Sequence, residues 1–192
     1  MRFIQAKNYH IAARTSVNIQ FICMHSMEAP EKPTTAEAVA QWFAGPGAPM
    51  ASSHYCVDTD SIIQCVKEKD IAFGAKGGNS EGIHIELAGY AKQTHHDWLD
   101  DYSKKMLTLA AGLVADIANR HNIPLIYLGS EGINQGFRGI TTHKDITVAK
   151  KIVGGHWDPG PGFPMCEFLG WASDTLNVLK RPSLKPENGS AG

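Results

Sequence analysis

Apolar positions along this chain change period several times, and each change marks an element. Val17-Asn18-Ile19-Gln20-Phe21 alternates and then runs into Ile22-Cys23-Met24, which predicts a buried strand over 17–24 ending at His25-Ser26. Residues 1–16 carry no period and read as an irregular arm. Thr34-Thr35-Ala36-Glu37 has capping-box spacing, and Val39, Trp42 and Phe43 follow at helical steps, so a helix is expected to about Ala44. Two short apolar runs, 53–57 and 62–66, flank Asp58-Thr59-Asp60-Ser61 and predict a hairpin. Gly74 to Ser80 reads as a flexible surface loop, and Ile83-His84-Ile85-Glu86-Leu87 as a half-buried strand with His84 and Glu86 on one face. Leu99, Tyr102, Met106, Leu109, Leu113 and Ile117 define a long helix over 97–121, stopped by Asn122 and Pro124. A strand is expected at 125–128, a Gly-rich loop at 131–139, and a return to the interior at 140–143. Asp145 caps a short helical turn. Pro164 starts a final helix with Phe168, Leu169, Ala172, Leu176 and Leu179 inward. The interleaving predicts an α/β fold, a central mixed β-sheet flanked by helices. Residues 1–180 are expected to form one domain and 181–192 a flexible tail.

Composition narrows the function classes. At 192 residues and 43% apolar content the chain can bury a core without cross-links. Its net charge of −1 offers no basic field for nucleic acid. No apolar run is long enough for membrane insertion. The N-terminus lacks the apolar segment of a secretory signal, so synthesis in the cytoplasm is expected. Cys23, Cys56, Cys65 and Cys166 show no CxxC spacing and read as reduced thiols. Nine histidines are more than the charge balance requires.

The most constrained stretch is Gly154-Gly155-His156-Trp157-Asp158-Pro159-Gly160-Pro161-Gly162. Two prolines fix φ and remove donors around Asp158, which holds that carboxylate on a stiff turn. It is either a turn cap or a functional group. His25 stands at the end of a buried strand and His143 in a loop after one. Two imidazoles and a carboxylate suit a catalytic zinc with its fourth position open, where bound water reaches a pKa of ~7. Hydrolysis then needs a base, for which Glu86 is placed, and an oxyanion partner, for which His156 is placed. The rival reading of Glu86 is a structural carboxylate hydrogen-bonded in the sheet, and His54 either orients substrate or fills a core position. No HExxH or other local metal motif is present. Trp157 and Trp171 read as packing.

The segments 22–26, Ser53-His54-Tyr55, Gly82-Ile83-His84-Ile85-Glu86-Leu87-Ala88-Gly89, Thr142-His143-Lys144-Asp145 and His156-Trp157-Asp158-Pro159-Gly160-Pro161 occur in an order and spacing that resembles the zinc-dependent N-acetylmuramoyl-L-alanine amidases. This type 2 group includes the peptidoglycan recognition proteins, and the segment at 83–90 is most similar to the amidase domains of phage endolysins. The likeness extends from about Val17 to Lys180. It implies a zinc site in an open groove with His25, His143 and Asp158 as ligands, Glu86 as general base and His156 at the oxyanion. Ser26, His54 and Asn79 become the candidate substrate contacts. It also implies hydrolysis of the amide between N-acetylmuramic acid and L-alanine of peptidoglycan, at the cell wall, after holin-type release or lysis. The chain departs from many relatives at Phe73-Gly74-Ala75, where they carry Trp-His-Ala-Gly, and at Ser53, where some carry Tyr. The rival functions are a recognition module that binds peptidoglycan without cleaving it, and a zinc peptidase acting within the stem peptide.

Overall fold

A computed structural model describes residues 1–180; the tail expected at 181–192 lies outside the described residues. The strands are β1 (Arg2–Phe3), β2 (Tyr9–His10), β3 (Phe21–Ser26), β4 (Tyr55–Val57), β5 (Ile62–Gln64), β6 (Ile71–Ala72), β7 (Gly82–Leu87) and β8 (Gly139–Thr142). The helices are α1 (Thr35–Ala44), α2 (Asp101–His121), α3 (Ser130–Asn134), α4 (His143–Ala149) and α5 (Met165–Leu179). Six strands form one mixed sheet in the order β1-β5-β4-β7-β3-β8, antiparallel only between β4 and β5. β2 and β6 make a separate antiparallel pair. The fold is the mixed sheet flanked by helices that the pattern predicts.

The central strands are buried on both faces, and each face has its own work. On β3 and β7, Ile22, Met24, Ile83, Ile85 and Leu87 join α2 and α5 in the main core, with Met106, Val114, Ile117, Phe168 and Ala172. The alternate positions point the other way. Phe21 and Cys23 pack there with Ala75, Leu128, Ile133 and Ile146. His25, His84 and Glu86 share that second face. The strand is more deeply covered than the alternation at 83–87 suggested: His84 is buried as fully as the isoleucines, and only Glu86 keeps partial exposure.

Other expectations change in detail. The arm at 1–16 supplies β1 and β2, two-residue strands too short to leave a periodic trace; Ile4 and Ala6 donate to the carbonyls of Gln64 and Cys65. The strand expected at 17–24 is shifted to 21–26, because Asn18 closes a turn by accepting from the backbone N–H of Thr15. His25 therefore lies within a strand rather than beyond it. Thr34 makes no side-chain cap; the Asp58 carboxylate of the hairpin accepts from Ala36 N at 2.9 Å instead. The long helix is preceded by a 3-10 turn at Asp97–Leu99 and capped by Asp100, which accepts from Ser103 N. At 125–128 only Tyr127 bridges to Ile140, and no strand extends there. The loop expected at 131–139 holds α3. Gly74 to Ser80 is not simply surface: Ala75 and Gly78 are buried, and a Cβ at Gly74 would lie 2.5 Å from the His84 ring. Leu179 faces solvent at 51% exposure, one turn beyond the end of the packed face of α5.

Candidate active site

The parallel register sets Glu86 directly beside His25 across β3 and β7. β8 ends at Thr142, whose hydroxyl accepts from Asp145 N and starts α4, so His143 is the first helical residue and not part of a loop. Asp145 donates its N–H to this cap; it is not the cap itself. Asp158 reaches the same point from the Pro-Gly-Pro turn. Its carbonyl oxygen accepts from Lys144 N at 3.2 Å, tying the turn to the residue after His143. Gly160 has φ +89°, and a Cβ there would run into the carbonyl of Ala91, so only glycine lets the two loops touch.

His25, His143 and Asp158 converge. His25 Nδ1 lies 3.1 Å from both His143 Nδ1 and Asp158 Oδ2, and His143 Nδ1 lies 3.1 Å from Asp158 Oδ1. Ligand atoms at ~2.0–2.1 Å from one tetrahedral zinc stand roughly 3.3 Å apart, so this donor set fits the ion. Burial would raise the Asp158 carboxyl, but hydrogen bonds from His143 and His25 override it and hold it far below the usual range. Burial lowers the His143 imidazole, keeping it neutral and able to ligate. Cys23, His25 and His84 also bring three donor atoms within 4.8 Å of one another. That group is fully buried, and burial pushes the Cys23 thiol well up, which disfavours the thiolate a metal needs.

The converging residues form the floor of a groove of about 640 Å³. Glu86 lines it, with Oε2 shielded from solvent and without a hydrogen-bond partner. Burial first, then the charges of Asp158 and Glu28, push its carboxyl well above the ordinary glutamate value. That is the direction a proton acceptor working near neutral pH requires. His156 stands on the rim, stacked on His143 at 4.4 Å between ring centroids, with its side chain 72% exposed.

The candidate substrate contacts divide. Ser26 lines the groove, and its hydroxyl donates to Glu28 Oε1 at 2.7 Å. His54 does not line it: the ring is fully buried, Nδ1 accepts from His84 N at 3.0 Å, and burial beside Arg14 lowers it to about 3. Asn79 is also absent from the lining, its Oδ1 accepting from Ala75 N at 2.7 Å within its own loop. The helical spacing at 39–43 gives no sign of what covers that face: Trp42 is 57% exposed and forms a groove wall with Val39, Met50 and Phe73. Trp157, read as packing, is half exposed. Glu28 was not legible at all; its carboxylate bonds Ser26 and Ala91 N, joining the end of β3 to the loop that braces Gly160.

Solved structures share this architecture. The Staphylococcus aureus hydrolase AmiA, in complex with its ligand, is 16% identical over 93% of this chain and 83% of that one, with a TM-score of 0.67. A mutant endolysin from Bacillus subtilis is 19% identical over 91% of this chain and 99% of that one, at 0.59. The N-acetylmuramoyl-L-alanine amidase LysC from Clostridium intestinale is 14% identical over 88% and 96%, at 0.53. At such identities the likeness establishes the fold. No curated protein sequence matches the chain. Residues 15–161 match the sequence profile of the N-acetylmuramoyl-L-alanine amidases, and the chain belongs to this family of enzymes, which hydrolyse the amide that joins the peptide to the glycan of peptidoglycan.

Proposed function

We propose that this amidase works with one zinc ion held by His25 Nδ1, His143 Nδ1 and Asp158, and that it acts as the lytic domain of a phage or bacterial lysin. The convergence of those three side chains at 3.1 Å on the groove floor, beside Glu86, carries the reading. The lysin role is supported by the likeness to the B. subtilis endolysin over nearly all of both chains. When bound, zinc supplies a Lewis acid that polarises the scissile carbonyl and acidifies a water.

The chain's own groups do the rest. Glu86, with its proton affinity raised by burial, takes the proton of the attacking water and returns it to the leaving amine of L-alanine. His156, on the rim, stacked on His143 and with its Nδ1 3.6 Å from Asp158 Oδ1, donates to the oxygen that gains charge. The C–N bond of the lactyl amide breaks, leaving a carboxylate on the muramic acid and a free amine on the stem peptide. The apolar wall of Trp42, Met50 and Phe73 excludes water from one side of the groove.

Mass spectrometry of purified peptidoglycan digested with the protein, with and without a chelator, tests this. Stem peptides beginning at L-alanine, lost on chelation and restored by zinc, are expected. Cleavage within the stem peptide would make it a peptidase. Binding to the wall without any product would make it a recognition module.

A further inference from the structure

His84 has no part in the chemistry described above, yet it is tightly confined beside the site. It is fully buried on β7, two residues before Glu86 and on the same face. Its Nδ1 lies 3.0 Å from His25 Nε2. The ring is boxed in by glycine: a Cβ at Gly74 would come 2.5 Å from its Cγ, and one at Gly82 would come 2.9 Å from its Nε2. The backbone on either side of the ring is pinned as well. His84 N donates to His54 Nδ1 at 3.0 Å, and its carbonyl accepts from His54 N and from the Ser53 hydroxyl. His54 stacks on the ring with centroids 5.8 Å apart, and its Nε2 is held against the Asp70 carbonyl.

The proton assignment follows from the neighbours. His25 turns Nδ1 toward His143 and Asp158, so once Nδ1 is given to zinc the ring carries its proton on Nε2. That N–H has one acceptor within reach, His84 Nδ1. His84 must then carry its own proton on Nε2, the atom pressed against Gly82, which is buried and without a partner. An orphaned donor costs stability. A packing role would be better served by an apolar side chain of the same size. The acceptor on Nδ1 is what an apolar side chain cannot supply.

We propose that His84 is a positioning residue for His25: it accepts the Nε2–H, fixes the tautomer and tilt of the ring, and so aims Nδ1 at the point shared with His143 and Asp158. The inference rests on the zinc reading. Groups that orient ligand imidazoles in this way are generally worth ten- to a hundredfold in metal affinity.

Two substitutions separate positioning from packing. His84→Asn keeps an acceptor, Oδ1, at the place of Nδ1, whereas His84→Leu fills similar space with none. Zinc affinity is measured by competition with a chromophoric chelator, and the stability of the metal-free protein by urea unfolding. His84→Leu is expected to lose ten- to a hundredfold in zinc affinity while its metal-free form is at least as stable as the parent. His84→Asn is expected to stay within about threefold in affinity. If His84→Leu does not fold, His84→Ala, which cannot clash in the slot, takes its place. Unchanged affinity in the variant lacking the acceptor overturns the inference. So does a loss of affinity in both variants that tracks their loss of metal-free stability. Failure of the parent protein to bind zinc overturns the zinc reading itself, and the positioning role with it.

Discussion

Replacing Glu86 with glutamine separates a proton acceptor from a structural carboxylate, because the two roles give opposite signs in stability. Glu86 Oε2 is shielded and has no partner, and burial, Asp158 and Glu28 all disfavour its ionised form. Its folded pKa is therefore raised above the unfolded value of ~4.3. In the metal-free protein, as pH rises through ~4.3 the unfolded chain releases this proton while the folded chain retains it. Folded stability then falls by ~1.4 kcal/mol per pH unit until the folded pKa is reached, and stays at that cost above it. The Glu86→Gln variant escapes the penalty. Urea unfolding without metal should find variant and parent alike near pH 4, with the variant gaining as pH rises to 8. Catalysis should move the other way. Loss of a general base costs 10²–10⁴-fold in kcat, or ~2.7–5.4 kcal/mol of transition-state stabilisation, with zinc affinity little changed. The assay is release of stem peptide from muropeptide under saturating zinc. A variant less stable than the parent at pH 8, or one that retains a tenth of the parent kcat, refutes the reasoning.

Three further outcomes are expected. Glu68 ties α2 to the sheet: burial would raise its carboxyl, but hydrogen bonds from Arg120, His121 and Tyr55 override this and hold it at about 2. Its contribution is present above ~4.3 and lost as pH falls through about 2, and because Arg120 is 42% exposed it is discounted to ~1–3 kcal/mol. Urea unfolding of Glu68→Gln should show that deficit at pH 7 and most of it gone at pH 2, and an equal deficit at both values contradicts the ion-pair account. Gly160→Ala meets both a left-handed φ and the Ala91 carbonyl, so it should cost ~2–4 kcal/mol and weaken zinc binding by displacing Asp158; thermal unfolding and chelator competition check this, and parental values in both would mean the loops are not in contact. His156→Ala should lower kcat ~10²-fold while zinc affinity is kept, since the ring stands exposed on the rim; a matching loss of zinc would make His156 part of the metal site instead.

Much of this protein was readable from its amino acids. The alternating and helical periods outlined β3, α1, the hairpin, β7, α2 and α5 to within a few residues, because burial of one face or stripe is written in side-chain polarity. The prolines and glycine around Asp158 marked a rigid carboxylate, since their backbone limits are intrinsic. Motif order put His25, His143, Asp158 and Glu86 forward together as candidates, and the fold brings them to one groove. What sequence could not decide was set by contacts between distant segments. The edge strand β1 and the Tyr127 bridge depend on backbone hydrogen bonds, which leave no trace in side-chain pattern. His54 and Asn79 look as suited to substrate as Ser26 does, yet His54 is enclosed by Arg14, Asp70 and His84 and Asn79 is spent within its own loop. Trp42 has the spacing of a core residue but lies on a groove wall, because a helical period reports an apolar face and not what covers it. The bond from His25 to His84 needs β3 and β7 to lie side by side in register, which is a property of the folded sheet alone.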